Sequence, residues 1–282
     1  QGVVTLLSDD AIKNFFTQEV AMAQRLQGIA GQERTVEYLY HDDGARLLVT
    51  AWAGESSLVG FMATRNAALA SGLSAVRDYT ISSLQIVREV LLAAGVIHRA
   101  GLVHRDISPE NIMLNPGSSS SVRLIDLGIA REPGREDLSM IGKWSYSAPE
   151  QMQGGLFDRR ADYYSIGVVL YELLSGAIPF GDRTVNGIED LISILREKQA
   201  GNVLGLDLGG APCQPLVMLG LGNDIEAGLM EIINSLTAVN PAERGTPNDV
   251  DIAINNIINE IQLRHGIYSS TEEEILLFVE ID

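Results

Sequence analysis

Apolar and polar positions change period several times along the chain, and each change marks an element. Residues 2–7 read as a strand, and Ser8, Asp9 and Asp10 read as the cap of a helix over residues 11–26, with Phe15, Val20 and Leu26 among its apolar contacts. Residues 36–40 and 46–51 predict a hairpin around His41-Asp42-Asp43-Gly44. Two helices follow, over 58–70 and 74–100; in the second, Leu84, Val87, Leu91 and Ala94 recur at helical spacing, as a core helix requires. Short apolar runs at 112–114 and 122–125 flank Asn115-Pro116-Gly117 and a run of serines, which cannot continue a strand and so predict a second hairpin. Residues 129–147 read as a polar loop, and the helix around residues 162–176 is apolar on nearly all sides, hence central to its lobe. Residues 202–222 are glycine-rich and read as an irregular insertion, with no glycine in the strand-turn-helix setting of a phosphate loop. The sequence has no internal repeat.

Composition narrows the classes. At 282 residues the chain can bury a full core as one domain or as two closely joined lobes. A net charge of −17 disfavours nucleic acid or an anionic membrane as the main partner. We expect no membrane segment, since the longest comparable apolar run, 166–174, is interrupted by Glu172. The lone cysteine, Cys213, lies between Pro212 and Pro215 in a loop; it cannot form an internal disulfide, and it reads as an incidental thiol. With no signal-like segment, the expected location is cytoplasmic. A start at Gln1 without methionine leads us to expect a fragment of something longer. His98 reads as a packing or surface histidine and not as a ligand.

The chemistry concentrates between residues 103 and 150. The second hairpin folds back so that Asn111, just before its first strand, comes near Asp126, just after its second. Two oxygen ligands facing one space suit Mg2+, which is usually held by one or two carboxylates plus substrate phosphates. Asp106, in His104-Arg105-Asp106-Ile107-Ser108-Pro109-Glu110-Asn111, then stands beside that site, where a carboxylate can orient a hydroxyl nucleophile and accept its proton.

Asp106, Asn111, Asp126-Leu127-Gly128 and Ala148-Pro149-Glu150, in that order, resemble the protein kinase family in its bacterial Ser/Thr form, and the resemblance covers about residues 1 to 263. It implies an α+β, bilobal fold: a small β-rich N-lobe over residues 1–52, a large mainly helical C-lobe over 53–263 with the catalytic and activation loops, and a tail over 264–282. The implied activity is transfer of the γ-phosphoryl group of ATP to Ser or Thr hydroxyls with Asp106 as the proton acceptor and Asn111 and Asp126 on Mg2+. In the same resemblance Phe16-Thr17-Gln18-Glu19-Val20 belongs to the mobile helix of the small lobe, whose Glu pairs with a strand lysine. Here that lysine position is Thr5, the nearby Lys13 is on the helix of Glu19, and the glycine-rich phosphate loop would lie upstream of Gln1. Thr50, Ala51 and Ala53 fall where the family's hinge binds the adenine edge; a buried strand end carrying Trp52 is the competing reading.

Two departures touch the transferred phosphate. The family lysine two residues after the catalytic Asp is Ser108 here, and the loss of one such donor costs about 3 kcal/mol in an active site. Lys143, where a threonine is usual, is a candidate source of the missing charge. Leu127 keeps an apolar packing residue in place of Phe. Arg105 is a candidate partner for a phosphate added to the loop at Ser139, Ser145 or Ser147. The family also implies that Asp162 holds the catalytic loop by backbone hydrogen bonds and that Glu150 pairs with Arg244. The alternatives are a pseudokinase or regulatory scaffold that binds a nucleotide or partner without turnover, and an enzyme acting on a small metabolite or biosynthetic peptide. The Ala148-Pro149-Glu150 platform favours a protein substrate. A regulatory partner or further domains of a longer chain complete the expected partners, and the acidic, then apolar, tail either docks on the body or serves a partner.

Overall fold

A computed structural model describes residues 9–115, 122–134, 143–179, 188–200 and 223–264. The expected strand at 2–7, Thr5, the Ser8 cap, the serine turn, Ser139, the insertion with Cys213 and the tail lie outside the described residues.

The chain opens with α1 (Asp9–Arg25), then a hairpin of β1 (Tyr38–Asp42) and β2 (Leu47–Thr50). The hairpin is antiparallel, with a register shift between Tyr38 and Tyr40. Its turn carries Arg46 at φ 51°, in the left-handed region. The exposure of Trp52, at 78%, argues against a buried strand end there.

A second sheet of three antiparallel strands has the order β3 (Ser56–Ser57), β4 (Ile112–Leu114), β5 (Val122–Leu124). Strands β4 and β5 pair in the register Ile112 to Leu124, as the flanking apolar runs require. Gly54 lies against this sheet so closely that a Cβ would stand 2.6 Å from the Leu114 carbonyl oxygen.

The expected helix over 58–70 is two, α2 (Leu58–Ala63) and α3 (Arg65–Ser71). At the break, the Thr64 hydroxyl donates to the Phe61 carbonyl at 2.7 Å, taking up a group the helix would otherwise use. Helix α4 (Leu73–Arg99) is the core helix expected: Leu84, Val87 and Ala94 are inaccessible and Leu91 nearly so. Among the described residues it is also the one helix long and apolar enough to cross a membrane, a better match than the run at 166–174, but its apolar side chains are the core of the large lobe.

Around α4 pack α6 (Arg160–Ser175) and α9 (Pro247–Arg264), with α8 (Asn223–Leu236) against α6 and α9. Twelve of the sixteen residues of α6 are buried, which explains its lack of a polar face. Gly167 permits the close approach of α8: a Cβ there would lie 2.7 Å from side-chain atoms of Leu236 and Thr237. The short α5 (Pro149–Met152) and α7 (Ile188–Gln199) pack together on the side of the catalytic loop.

Candidate active site

The loop 103–111 leaves the end of α4, and one buried carboxylate holds it. Asp162, wholly buried at the start of α6, accepts the backbone N–H of His104 at 2.9 Å and of Arg105 at 2.8 Å. It also accepts Nε2–H of His98 at 2.7 Å. Burial alone would raise the Asp162 carboxyl; the His98 hydrogen bond, the His98 and His104 rings and the Arg105 N–H outweigh it and hold the group below the usual range. The expected role of Asp162 is thus present, and His98 is the packing histidine expected, with Asp162 as the polar partner that its sequence position does not reveal. It is half of the buried pair that fixes the loop, with its ring edge-on to Tyr163 at 5.6 Å.

Arg105 has φ 73° and Asp126 has φ 65°. A left-handed conformation costs a side-chain-bearing residue roughly 1–2 kcal/mol, and the Asp162 contacts hold Arg105 in it. His104 bridges the loop to the end of β5, donating Nε2–H to the Ile125 carbonyl at 3.0 Å and accepting the Asp106 N–H at 3.3 Å on Nδ1.

Asp106 is half-buried within a polar net. Its Oδ2 accepts from Asn111 Nδ2 at 2.8 Å, the same amide nitrogen donates to the Asp106 carbonyl at 2.9 Å, and Oδ1 accepts the Lys143 N–H at 3.3 Å. Burial raises the Asp106 carboxyl above its ordinary value, although His104, Lys143 and Asn111 pull the other way. The Asn111 carbonyl accepts Ile125 N–H at 3.0 Å, which brings the Asp126 end of the hairpin beside Asn111 as its folding back predicts. Leu127 is buried, as expected of an apolar packing residue.

A cavity of about 670 Å3 lies between the hairpin, α1 and the second sheet. Glu19, Thr50, Ala51, Ala53 and Asp126 line it, with Val36 and Met113 among the apolar walls. The Ala51 N–H is used by the Glu37 carbonyl at 2.9 Å. Glu19 is half-buried, and burial, then the negative charge of Asp126, raises its carboxyl. A second groove, of about 560 Å3, is lined by Val59, Met62, Glu110, Lys143, Tyr146 and Glu172, among others. Asp106 and Ser108 belong to the loop whose Pro109 and Glu110 form one wall of that groove, whereas Glu19, Thr50, Ala51, Ala53 and Asp126 line the first cavity.

Among the candidate phosphate acceptors, Ser147 is buried and donates to the Lys143 carbonyl at 3.1 Å, a position closed to modification. Arg105 is buried too, with Nη1 3.3 Å from the Ile129 carbonyl and its guanidinium 4.6 Å from the centre of the Phe157 ring. The ion pair expected from sequence is bidentate, with Arg244 Nη1 and Nη2 at 2.6 and 2.8 Å from the two carboxylate oxygens of Glu150. Lys198, which sequence reasoning passed over, is fully buried beneath the segment after Lys143 and donates to the carbonyls of Trp144, Ser145 and Ser147.

The profile of the protein kinase domain matches residues 8–253. The chain is 31% identical over 189 residues to Serine/threonine-protein kinase pkn3 of Myxococcus xanthus, an alignment covering 62% of this chain and 32% of that protein. It is 41% identical over 106 residues to Serine/threonine-protein kinase PknL of Mycobacterium tuberculosis, covering 36% and 26% respectively. It is 38% identical over 108 residues to the probable serine/threonine-protein kinase PknB of Lactococcus lactis, covering 36% and 17%. These alignments span about a third or less of each relative's length. With a buried Asp162 gripping the catalytic loop, a bidentate Glu150–Arg244 pair and a profile match over most of its length, the chain belongs to the protein kinase domain family.

Proposed function

We infer that this domain transfers the γ-phosphoryl group of ATP to Ser or Thr hydroxyls of protein substrates, with the nucleotide in the 670 Å3 cavity and the acceptor in the 560 Å3 groove. The observation that carries the reading is the net around Asp106: a carboxylate of raised proton affinity, oriented by the Asn111 amide and the Lys143 N–H, on the loop that walls the groove. Such a group orients an incoming hydroxyl and accepts its proton.

Mg2+ fits the residues present. The Asn111 amide nitrogen is committed to Asp106, so its oxygen is the acceptor left over, and the Asp126 carboxylate faces the cavity. Among the described residues no group of three or more His, Cys, Asp or Glu could hold a metal alone, which suits an ion that completes its shell with nucleotide phosphates. Asn111 and Asp126 would hold it, and when bound it would neutralise phosphate charge. Thr50 and the backbones of Ala51 and Ala53 would meet the base, and the Glu19 carboxylate would orient a cation in the cavity. In this reading the lobes divide near residue 52.

The test combines binding and transfer. The wild type should gain thermal stability with Mg2+ and ATP and pass label from γ-labelled ATP to a generic protein substrate such as casein; Asp126→Asn should lose both. Wild-type binding without transfer would leave a nucleotide-binding scaffold in place of a kinase.

A further inference from the structure

We propose that Lys143 is a catalytic residue, its ammonium neutralising charge on the phosphoryl group in flight; this rests on the kinase reading above. Lys143 is 35 positions from Ser108 in sequence, yet its Nζ donates to Ser108 Oγ at 3.0 Å. Its backbone N–H, on Asp106 Oδ1 at 3.3 Å, fixes the start of the side chain beside the proton acceptor. The ammonium is therefore held one hydrogen bond from the residue two places beyond Asp106, where the loop itself offers only a hydroxyl.

Nearness must be joined by freedom to engage a phosphate. The second partner of the ammonium is Glu110, at 2.7 Å, and the two side chains are 38% and 55% exposed. A pair so open to water contributes under about 1 kcal/mol, so a phosphate oxygen can compete for the ammonium. An ammonium has three N–H groups: Ser108 and Glu110 take two, and among the described residues no partner takes the third. Both Lys143 and Glu110 line the 560 Å3 groove, so that N–H is accessible from the acceptor side. A purely structural tether is a weaker account, because the backbone N–H already ties this segment to Asp106.

In the step, the Ser or Thr hydroxyl oxygen forms a bond to the γ-phosphorus as the bond from that phosphorus to the β–γ bridging oxygen breaks. ADP leaves with the electron pair, and the hydroxyl proton passes to the Asp106 carboxylate. Lys143 donates to a non-bridging oxygen of the transferring group, where charge spread over the equatorial oxygens is what a fixed cation stabilises.

Lys143→Ala should lower kcat by about 10²–10³-fold while ATP affinity stays within about twofold. It should weaken binding of ADP with aluminium fluoride, a mimic of the group in flight, by a similar factor without weakening ADP. Adding Ser108→Lys to Lys143→Ala should restore at least about tenfold of the lost rate. If Lys143→Ala melts markedly lower, Lys143→Gln, which keeps the stem but not the charge, takes its place in the same comparison. The proposal is overturned by an unchanged kcat, by equal weakening of ADP and its fluoride complex, or by failure of Ser108→Lys to raise the rate. A wild type that transfers no phosphate removes the kinase reading as well, whereas an active wild type with an indifferent Lys143→Ala removes this assignment alone.

Discussion

Asp106 shows how much one side chain's surroundings decide. Its carboxyl is raised by burial, and the opposing His104, Lys143 and Asn111 contacts do not fully cancel that. A base with raised proton affinity is protonated earlier as the medium is acidified, so the acid limb of kcat should fall at a pH above the ordinary carboxylate value of 3.8. Asp106→Asn should lower kcat by about 10²–10⁴-fold and abolish that limb, with the remaining rate flat over the same range. A pH–rate profile of both proteins checks this; an acid limb that survives in Asp106→Asn would assign the titration to another group. His98 makes the complementary point. A lone histidine near a helix end has no sequence signature of function, and its meaning comes from Asp162, 64 positions later.

At the scale of elements, α7 is tied to the segment that precedes Ala148. Lys198 Nζ donates to the carbonyls of Trp144, Ser145 and Ser147 at 2.7, 3.1 and 2.6 Å, and lies 5.1 Å from the centre of the Tyr164 ring. Without it, three carbonyls in an irregular segment lose a donor, a loss of about 3 kcal/mol that should loosen the groove lined by Lys143 and Tyr146 before the cavity lined by Glu19 and Asp126. Lys198→Met should therefore raise KM for a protein substrate about tenfold at unchanged KM for ATP. Burial pulls the Lys198 amine down to about 7 from 10.5, against the pull of Glu150. Between those values the unfolded chain binds more protons, so this group makes stability rise with pH from 7 upward, and the cost of burying the charge is largest below 7. Melting temperatures from pH 7 to 9 should rise more steeply for the wild type than for Lys198→Met; parallel curves would show that the proton is not lost there. The sequence disclosed some of these ties and hid others for a physical reason. Asn111 and Asp126 flank one predicted hairpin and Asp106 shares the loop before it, so their nearness could be anticipated, whereas the place of Asp162 followed from the family resemblance. Lys198 binds backbone carbonyls, which have no residue identity, and so reads as any lysine near a helix end. The break between α2 and α3 likewise depends on one hydroxyl finding a carbonyl three residues back, which helical periodicity does not register.

Across the whole molecule, Arg244 connects regions distant in sequence. It holds both oxygens of Glu150, 94 positions away, donates to the Arg160 carbonyl at 2.8 Å and to the Ala238 carbonyl at 2.8 Å, and stands 5.1 Å from the Tyr164 ring centre. One side chain thereby joins the start of α5, the start of α6 and the segment after α8. The Arg244 side chain is inaccessible and that of Glu150 is 14% exposed, so solvent screens the pair little. Removing one partner leaves the other charge buried without compensation, at about 3–5 kcal/mol. Arg244→Met should thus lower the urea midpoint severely, and Glu150→Gln by less, since a neutral amide can still meet the guanidinium. The double variant removes both charges together, so its loss should fall short of the sum of the single losses by at least about 1 kcal/mol. Strictly additive losses would mean that Arg244 acts through the carbonyls of Arg160 and Ala238, and that the domain is joined there by backbone contacts instead of by the ion pair.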